Sequence, residues 1–147
     1  MDIWFASDHH LGHENIRKPE YADRPFDSVE EMNEVLIAAH NALVAPGDLV
    51  YFLGDVAMGK IAESLPLVAR MNGRKTLILG NHDRPFHAHG NKLERWMAEY
   101  SLYFTHIFTD SVVNFDGQDV LLNHFPYHGD SHGFEDRYAD LRPPDEG

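Results

Sequence analysis

Thr76-Leu77-Ile78-Leu79-Gly80-Asn81-His82-Asp83 joins a short apolar run to a glycine and three side chains able to bind a metal or a proton. Apolar runs of this length bounded by turn formers read as buried strands. The same join recurs three times. Ile3-Trp4-Phe5-Ala6 leads into Ser7-Asp8-His9-His10, Leu49-Val50-Tyr51-Phe52-Leu53 into Gly54-Asp55, and Val120-Leu121-Leu122 into Asn123-His124. In open α/β sheets the carboxyl ends of the strands gather around one crevice, where ligands bind. Four strands that deliver Asp, His and Asn to one rim predict a metal site of mixed oxygen and nitrogen ligands. One such cluster is ordinary turn chemistry; four in the same relation to a strand are a pattern.

The segments between the runs read as helices. Ser28-Val29-Glu30-Glu31 is a capping box opening a helix to about Val44, with Met32, Val35, Leu36, Ala39 and Leu43 at helical spacing. A second helix is expected from about Ile61 to Met71, with Pro66 as a kink, and a third on Leu93, Trp96, Met97 and Tyr100. Val112–Phe115 and Gln118–His124 form a hairpin around Asp116-Gly117, a favoured two-residue turn. The order β-α-β-α-β-α followed by a hairpin predicts an α/β layered domain.

At 147 residues the chain is expected to be one domain with one core. Residues 1–125 read as that core and 126–147 as a polar loop or tail. Without cysteine there is no disulfide, thiolate site or cysteine nucleophile, and the setting leans to the cytoplasm. The amino terminus does not read as a signal peptide. No apolar stretch approaches the roughly 20 residues of a membrane span, so no membrane partner is expected. A net charge of −12 repels phosphate polymers and disfavours a nucleic-acid polymer as partner. Nuclease activity is the weaker enzyme reading, because Arg and Lys are few and scattered. The 11 histidines point instead to metal chemistry.

Asp8 and His10 are two apart at a strand end, and alternation places both on one face; His9 between them points elsewhere. Asp55, with two carboxylate oxygens behind a glycine, is the candidate to bridge two cations. Asn81 offers an amide oxygen and His124 an imidazole. This set, without sulfur, suits Mn²⁺, Zn²⁺, Fe or Ni²⁺, and two such ions can clamp an oxyanion and acidify a shared water. His82, with Asp83 placed to orient it, is the candidate general acid; a fifth metal ligand is the alternative. His13 and Arg84, and less clearly Asn15, stand where a substrate phosphate would be touched. His87 and His89 read as rim residues, His40 as the side of a helix, and His106 as strand or loop.

Asp8-x-His10-x-Gly12, Gly54-Asp55, Gly80-Asn81-His82-Asp83 and the later His124 together resemble the calcineurin-like metallophosphoesterase superfamily. Ser7-Asp8-x-His10-x-Gly12-His13-x-Asn15-Ile16 is similar to its small bacterial and phage members. The resemblance implies a β-sandwich flanked by helices and a small phosphodiester or phosphomonoester substrate, hydrolysed by metal-bound hydroxide. It also implies two divalent ions, Mn²⁺ first and Mg²⁺ also possible. Asp8 and His10 would hold one ion, Asn81 and His124 the other, Asp55 both, and His82 would be catalytic. Family members carry a Gly-His-x-His motif after the His124 position, and this sequence does not. The expectation is therefore a chain cut short with its metal site incomplete; substitution by His128 and His132, four apart on a loop, is the lesser alternative. A weakly active or non-catalytic binding form of the same fold is the competing expectation.

Overall fold

The computed structural model describes residues 1–129 and 137–144. Four parallel strands, β1 (Ile3–Ala6), β2 (Leu49–Phe52), β3 (Arg74–Ile78) and β4 (His106–Phe108), form one sheet in the order β1-β2-β3-β4. In a sheet whose spatial order equals its chain order, right-handed crossovers put every connection on the same face. Helix α1 (Val29–Leu43), α2 (Ile61–Ser64) and α3 (Asn91–Tyr100) therefore share one side. The main core forms there: Ile37, Leu65 and Tyr100 pack with Val50, Phe52 and Leu77 of the sheet. Leu77 is fully buried, and its truncation to Ala would cost about 2–5 kcal/mol.

The opposite face is covered by an antiparallel hairpin, β5 (Asp110–Phe115) and β6 (Gln118–Asn123). Alternation splits β2 between the layers: Val50 and Phe52 face the helices, while Tyr51 meets Ile78 and Leu122 on the hairpin side. Asp116 and Gly117 both take positive φ, 49° and 86°, as a tight right-twisted hairpin turn requires. The α/β layered arrangement matches the expectation. One detail differs: the run ending at His124 belongs to this second layer and not to the parallel sheet, whose fourth strand, β4, lies beyond β3 and carries none of the expected ligands.

Two helices depart from their expected form. In α1 the Ser28 hydroxyl accepts from the Glu31 N–H at 3.0 Å, as a cap should, but the Glu31 carboxylate reaches the N–H of Asp27 and not of Ser28. The buried stripe includes Asn33, Ile37 and His40, while Val35 and Leu43 are exposed. Polar residues hold that stripe because each has a partner: Asn33 accepts from the Gly12 N–H, and His40 bonds the Asn72 carbonyl. After Ser64 the second helix tightens into a 3-10 turn, Leu65–Arg70. Pro66, lacking an N–H, sits in its first turn, where none is needed.

No helix among the described residues is long and apolar enough to cross a membrane.

Candidate metal centre

The carboxyl ends of β1, β2 and β3 converge on the Asp55 carboxylate. Its Oδ1 accepts the His82 backbone N–H at 2.8 Å, which leaves Oδ2 facing outward. His10 Nε2 lies 3.8 Å from that oxygen, His124 Nε2 3.6 Å and His82 Nε2 4.0 Å. Asp8 Oδ1 is 3.5 Å from His10 Nε2, and Asn81 Oδ1 is 3.2 Å from His124 Nε2. Asp55 Oδ2 thus has His10, His124 and the expected acid His82 within 4.0 Å, and Asp8 and Asn81 stand beside the two ligand imidazoles.

The chain supplies this geometry through unusual backbone. Asp8, His10 and Asp55 all have left-handed φ, at 56°, 52° and 55°, a region that costs a non-glycine residue about 1 kcal/mol or more. The turn is held by backbone bonds from Asp8 N to Gly54 O and from His10 N to Asp55 O, 3.1 and 2.9 Å. Asp8 and His10 therefore meet through a turn beyond β1, which ends at Ala6, and not through strand alternation. His9 turns to the helix layer, its ring 5.1 Å from Phe52. Gly54 is required by packing, since a Cβ there would run into His124, and one at Gly80 into the Asp55 carboxylate.

Hydrogen bonding orients the imidazoles. His124 Nδ1 lies 2.7 Å from the Leu53 carbonyl, which can only accept, so the ring proton is there and Nε2 carries a lone pair. His10 Nδ1 lies 3.1 Å from the Met58 thioether, also only an acceptor, with the same consequence. Lone pairs of His10, His124, Asn81, Asp8 and Asp55 then face one another. Such an array of acceptors is repulsive until a cation enters it. Ligands held about 2.0–2.2 Å from one ion stand roughly 3–3.5 Å apart, close to the 3.2–3.8 Å found here. Ligand atoms of Asp8, Asp55 and His124 lie within 4.8 Å of one another. These residues fit divalent metal.

Burial opposes ionisation of Asp8, yet contacts with His10, Ser7 and His124 outweigh it and hold the carboxyl below its usual range. Burial likewise lowers the His82 imidazole; Asp55 opposes this, while His10, His124 and Arg137 add to it.

Contrary to what its sequence position suggests, Asp83 does not orient His82; its carboxylate accepts the backbone N–H groups of Asp55, Val56 and Gly80 at 3.0, 3.2 and 2.9 Å. The side chain is buried, which pushes its pKa up to about 6. Asp83 ties the β2 and β3 turns together, one shell away from the reacting groups.

A cavity of about 910 Å³ opens over the centre and includes Asp8, His10, His13, Asn81, His82 and His124 in its wall. His13 stands 5.4 Å, ring to ring, from His10; Asn15 is not in that wall, where its neighbour Ile16 is. Arg84 lies instead on an adjoining pocket of about 430 Å³, which also takes His87. His89 is exposed, as is His128, which lines neither cavity; His132 falls outside the described residues. His106 is in β4.

Several contributors gave no sequence signal. Arg24 donates to the carbonyls of Asp8 and His9 at 2.6 and 2.7 Å, bracing the left-handed turn from 16 residues away. Arg137, Tyr138 and Arg142 close the large cavity, brought there by an aromatic cluster in which Tyr138 stands 5.0 Å from Phe125 and 5.9 Å from Phe86. The stretch Arg137-Tyr138-Ala139-Asp140-Leu141-Arg142 carries no motif that would have marked it.

Residues 1–145 match the family of calcineurin-like phosphoesterases, and the chain belongs to that family. Its class is that of the metallophosphoesterases, hydrolases of phosphoesters that work with divalent metal ions. Among relatives, the Gene 66 protein of Mycobacterium phage L5 is 35% identical, over 99% of this chain and 73% of its own length. An uncharacterised protein of Methanocaldococcus jannaschii is 36% identical over 90% of this chain and 74% of its own length. A solved structure of a protein of unknown function from Aquifex aeolicus superposes with a TM-score of 0.71 at 25% identity, covering 96% of this chain and 68% of that one.

Proposed function

We propose that the protein is a dinuclear metal-dependent phosphoesterase acting on small phosphodiesters or phosphomonoesters, nucleotides among them. The observation that carries this reading is the ring of outward lone pairs around Asp55 Oδ2. Asp8, His10 and Asp55 would hold one ion and Asp55, Asn81 and His124 the other, and this oxygen and nitrogen set would take Mn²⁺, the first choice, or Zn²⁺, Fe, Ni²⁺ or Mg²⁺. When bound, such ions would supply charge neutralisation of the ester and a nucleophilic water near neutral pH. The chain's residues do the rest. Asp55 keeps one oxygen on the His82 N–H, so only the other is offered. His82, with a side chain 45% exposed, borders both cavities and is placed to give a proton to the leaving oxygen. His13 faces the substrate from the cavity wall. The acidic composition suits a small substrate better than a polymer.

The test pairs elemental analysis of the purified protein with hydrolysis of bis(4-nitrophenyl) phosphate and 4-nitrophenyl phosphate. Hydrolysis should rise with added Mn²⁺ and vanish with a chelator. A protein that binds metal but cleaves neither ester at saturating Mn²⁺ would be a binding member of the fold and not an enzyme.

A further inference from the structure

The two cavities that meet at His82 differ in charge. The larger one sets the carboxylates Asp8, Glu20 and Asp55 against Arg137 and Arg142. Among the described residues, the smaller one has Arg84, Lys92 and Arg137 in its wall and one acid, Asp83, whose oxygens are taken by backbone N–H groups. In a chain with 24 acidic residues against 12 Lys and Arg, three cations around 430 Å³ are a local reversal of the overall field. Arg84 is anchored at both ends: its N–H donates to the buried Tyr100 hydroxyl at 3.1 Å, and its guanidinium lies 6.0 Å from the Trp96 ring centre. At this range the ring of Trp96, which also carries Arg95 at 5.1 Å, draws the exposed Arg84 side chain toward the pocket wall. Ile61, Met58 and Trp96 add an apolar floor.

We propose that this pocket is the leaving-group subsite, and that it selects phosphoesters whose leaving alcohol bears a second anionic group, a phosphate or phosphonate by preference. The inference rests on the phosphoesterase reading. Hydrolysis breaks the bond between phosphorus and the leaving oxygen, the water oxygen ends on phosphorus, and the leaving oxygen takes its proton from His82. Asn81 and His82 border both cavities, so a group protonated by His82 while its phosphorus lies over Asp55 departs into the smaller one. There Arg84 and Lys92 meet an anion with charge-assisted hydrogen bonds, and the apolar floor takes the connecting carbons.

Two matched esters test it: 4-methylphenyl phosphate and 4-(phosphonomethyl)phenyl phosphate, in which a methylene insulates the phenol from the added charge. With Mn²⁺ the second should show a kcat/KM about tenfold or more above the first. Arg84→Met and Lys92→Met should each lower that ratio several-fold toward one. Calorimetry with the product alcohol, 4-(phosphonomethyl)phenol, supplies a readout free of turnover: binding should persist in a chelator and weaken in Lys92→Met. Equal kcat/KM for the two esters, or a preference that both variants preserve, overturns the subsite while leaving the phosphoesterase standing. If neither monoester is cleaved but bis(4-nitrophenyl) phosphate is, the phosphoesterase stands and the calorimetry decides for the pocket, absence of chelator-resistant binding overturning it; if none of the three is cleaved, the phosphoesterase reading fails and the subsite with it.

Discussion

The half of the centre built from β1 and β2 and the half built from β3 and β6 differ in charge and in stiffness. The first brings Asp8, His10 and Asp55, two carboxylates and an imidazole, on turns whose three left-handed residues are locked by backbone bonds and by Arg24. The second adds only neutral donors, Asn81 and His124. Its imidazole arrives from the hairpin, a layer joined to the sheet by side-chain packing and not by strand pairing. Full charge and preorganisation sit on one side; the other borrows its charge from Asp55. An ion in the first half is held by rigid backbone, whereas an ion in the second depends on how two layers settle against each other.

The largest effect should come from the one residue both halves share. Asp55→Asn removes the charge that allows two cations to stand side by side, and it should abolish activity and two-metal binding together. Elemental analysis that finds both ions at full occupancy in this variant would show that the halves are independent. His82→Ala touches neither set of ligands. It should slow turnover by roughly 10²–10⁴-fold on esters with poor leaving groups and leave metal content nearly unchanged. The loss should shrink for a nitrophenolate, which departs with little protonation; equal losses on both would make His82 a ligand or a phosphate anchor.

The asymmetry itself is open to titration. A Mn²⁺ isotherm should resolve a tight and a loose site, separated by on the order of the 10–100-fold that outer-shell support is worth at metal sites. Arg24→Met withdraws two hydrogen bonds from the Asp8–His9 carbonyls and should weaken the tight site toward the loose one. Two equally tight sites that ignore Arg24→Met would mean the braced turn contributes nothing to affinity.

The sequence exposed the rigid half more fully than the other. Asp8, His10 and Asp55 follow apolar runs directly, and local spacing was enough to mark them. Strand alternation does not account for their meeting, because it implies nothing about three positive φ angles beyond the strand ends. His124 was legible as a residue, but its layer was not: a half-exposed hairpin strand and a buried parallel strand can share the same three apolar letters. Adjacency in sequence suggests contact between Asp83 and His82, whereas a buried carboxylate goes where unpaired N–H groups are densest. Arg24, Met58 and the 137–142 wall act over long sequence separations. No local pattern encodes such contacts.

The smallest effect concerns the layer behind the first half. His40, buried on α1, directs Nε2 at 2.9 Å to the Asn72 carbonyl and stacks on Phe52, which also carries the His9 ring. Burial lowers its pKa below the usual 6.5; the Asn72 bond opposes this, and nearby Lys75 adds to it, while the His9 ring lies 6.4 Å away. The folded state therefore takes up this proton less readily than the unfolded chain. Stability linked to His40 is complete above about pH 6.5 and declines as pH falls from there through the lowered folded value. His40→Gln preserves a donor for Asn72 without a titrating group. In chelator, the fall in urea midpoint between pH 7 and pH 5 should be smaller in the variant by on the order of a few tenths of a molar. Superimposable pH profiles for variant and wild type would show that His40 stays neutral or solvated in both states, and that the helix face behind the braced turn adds no acid sensitivity to it.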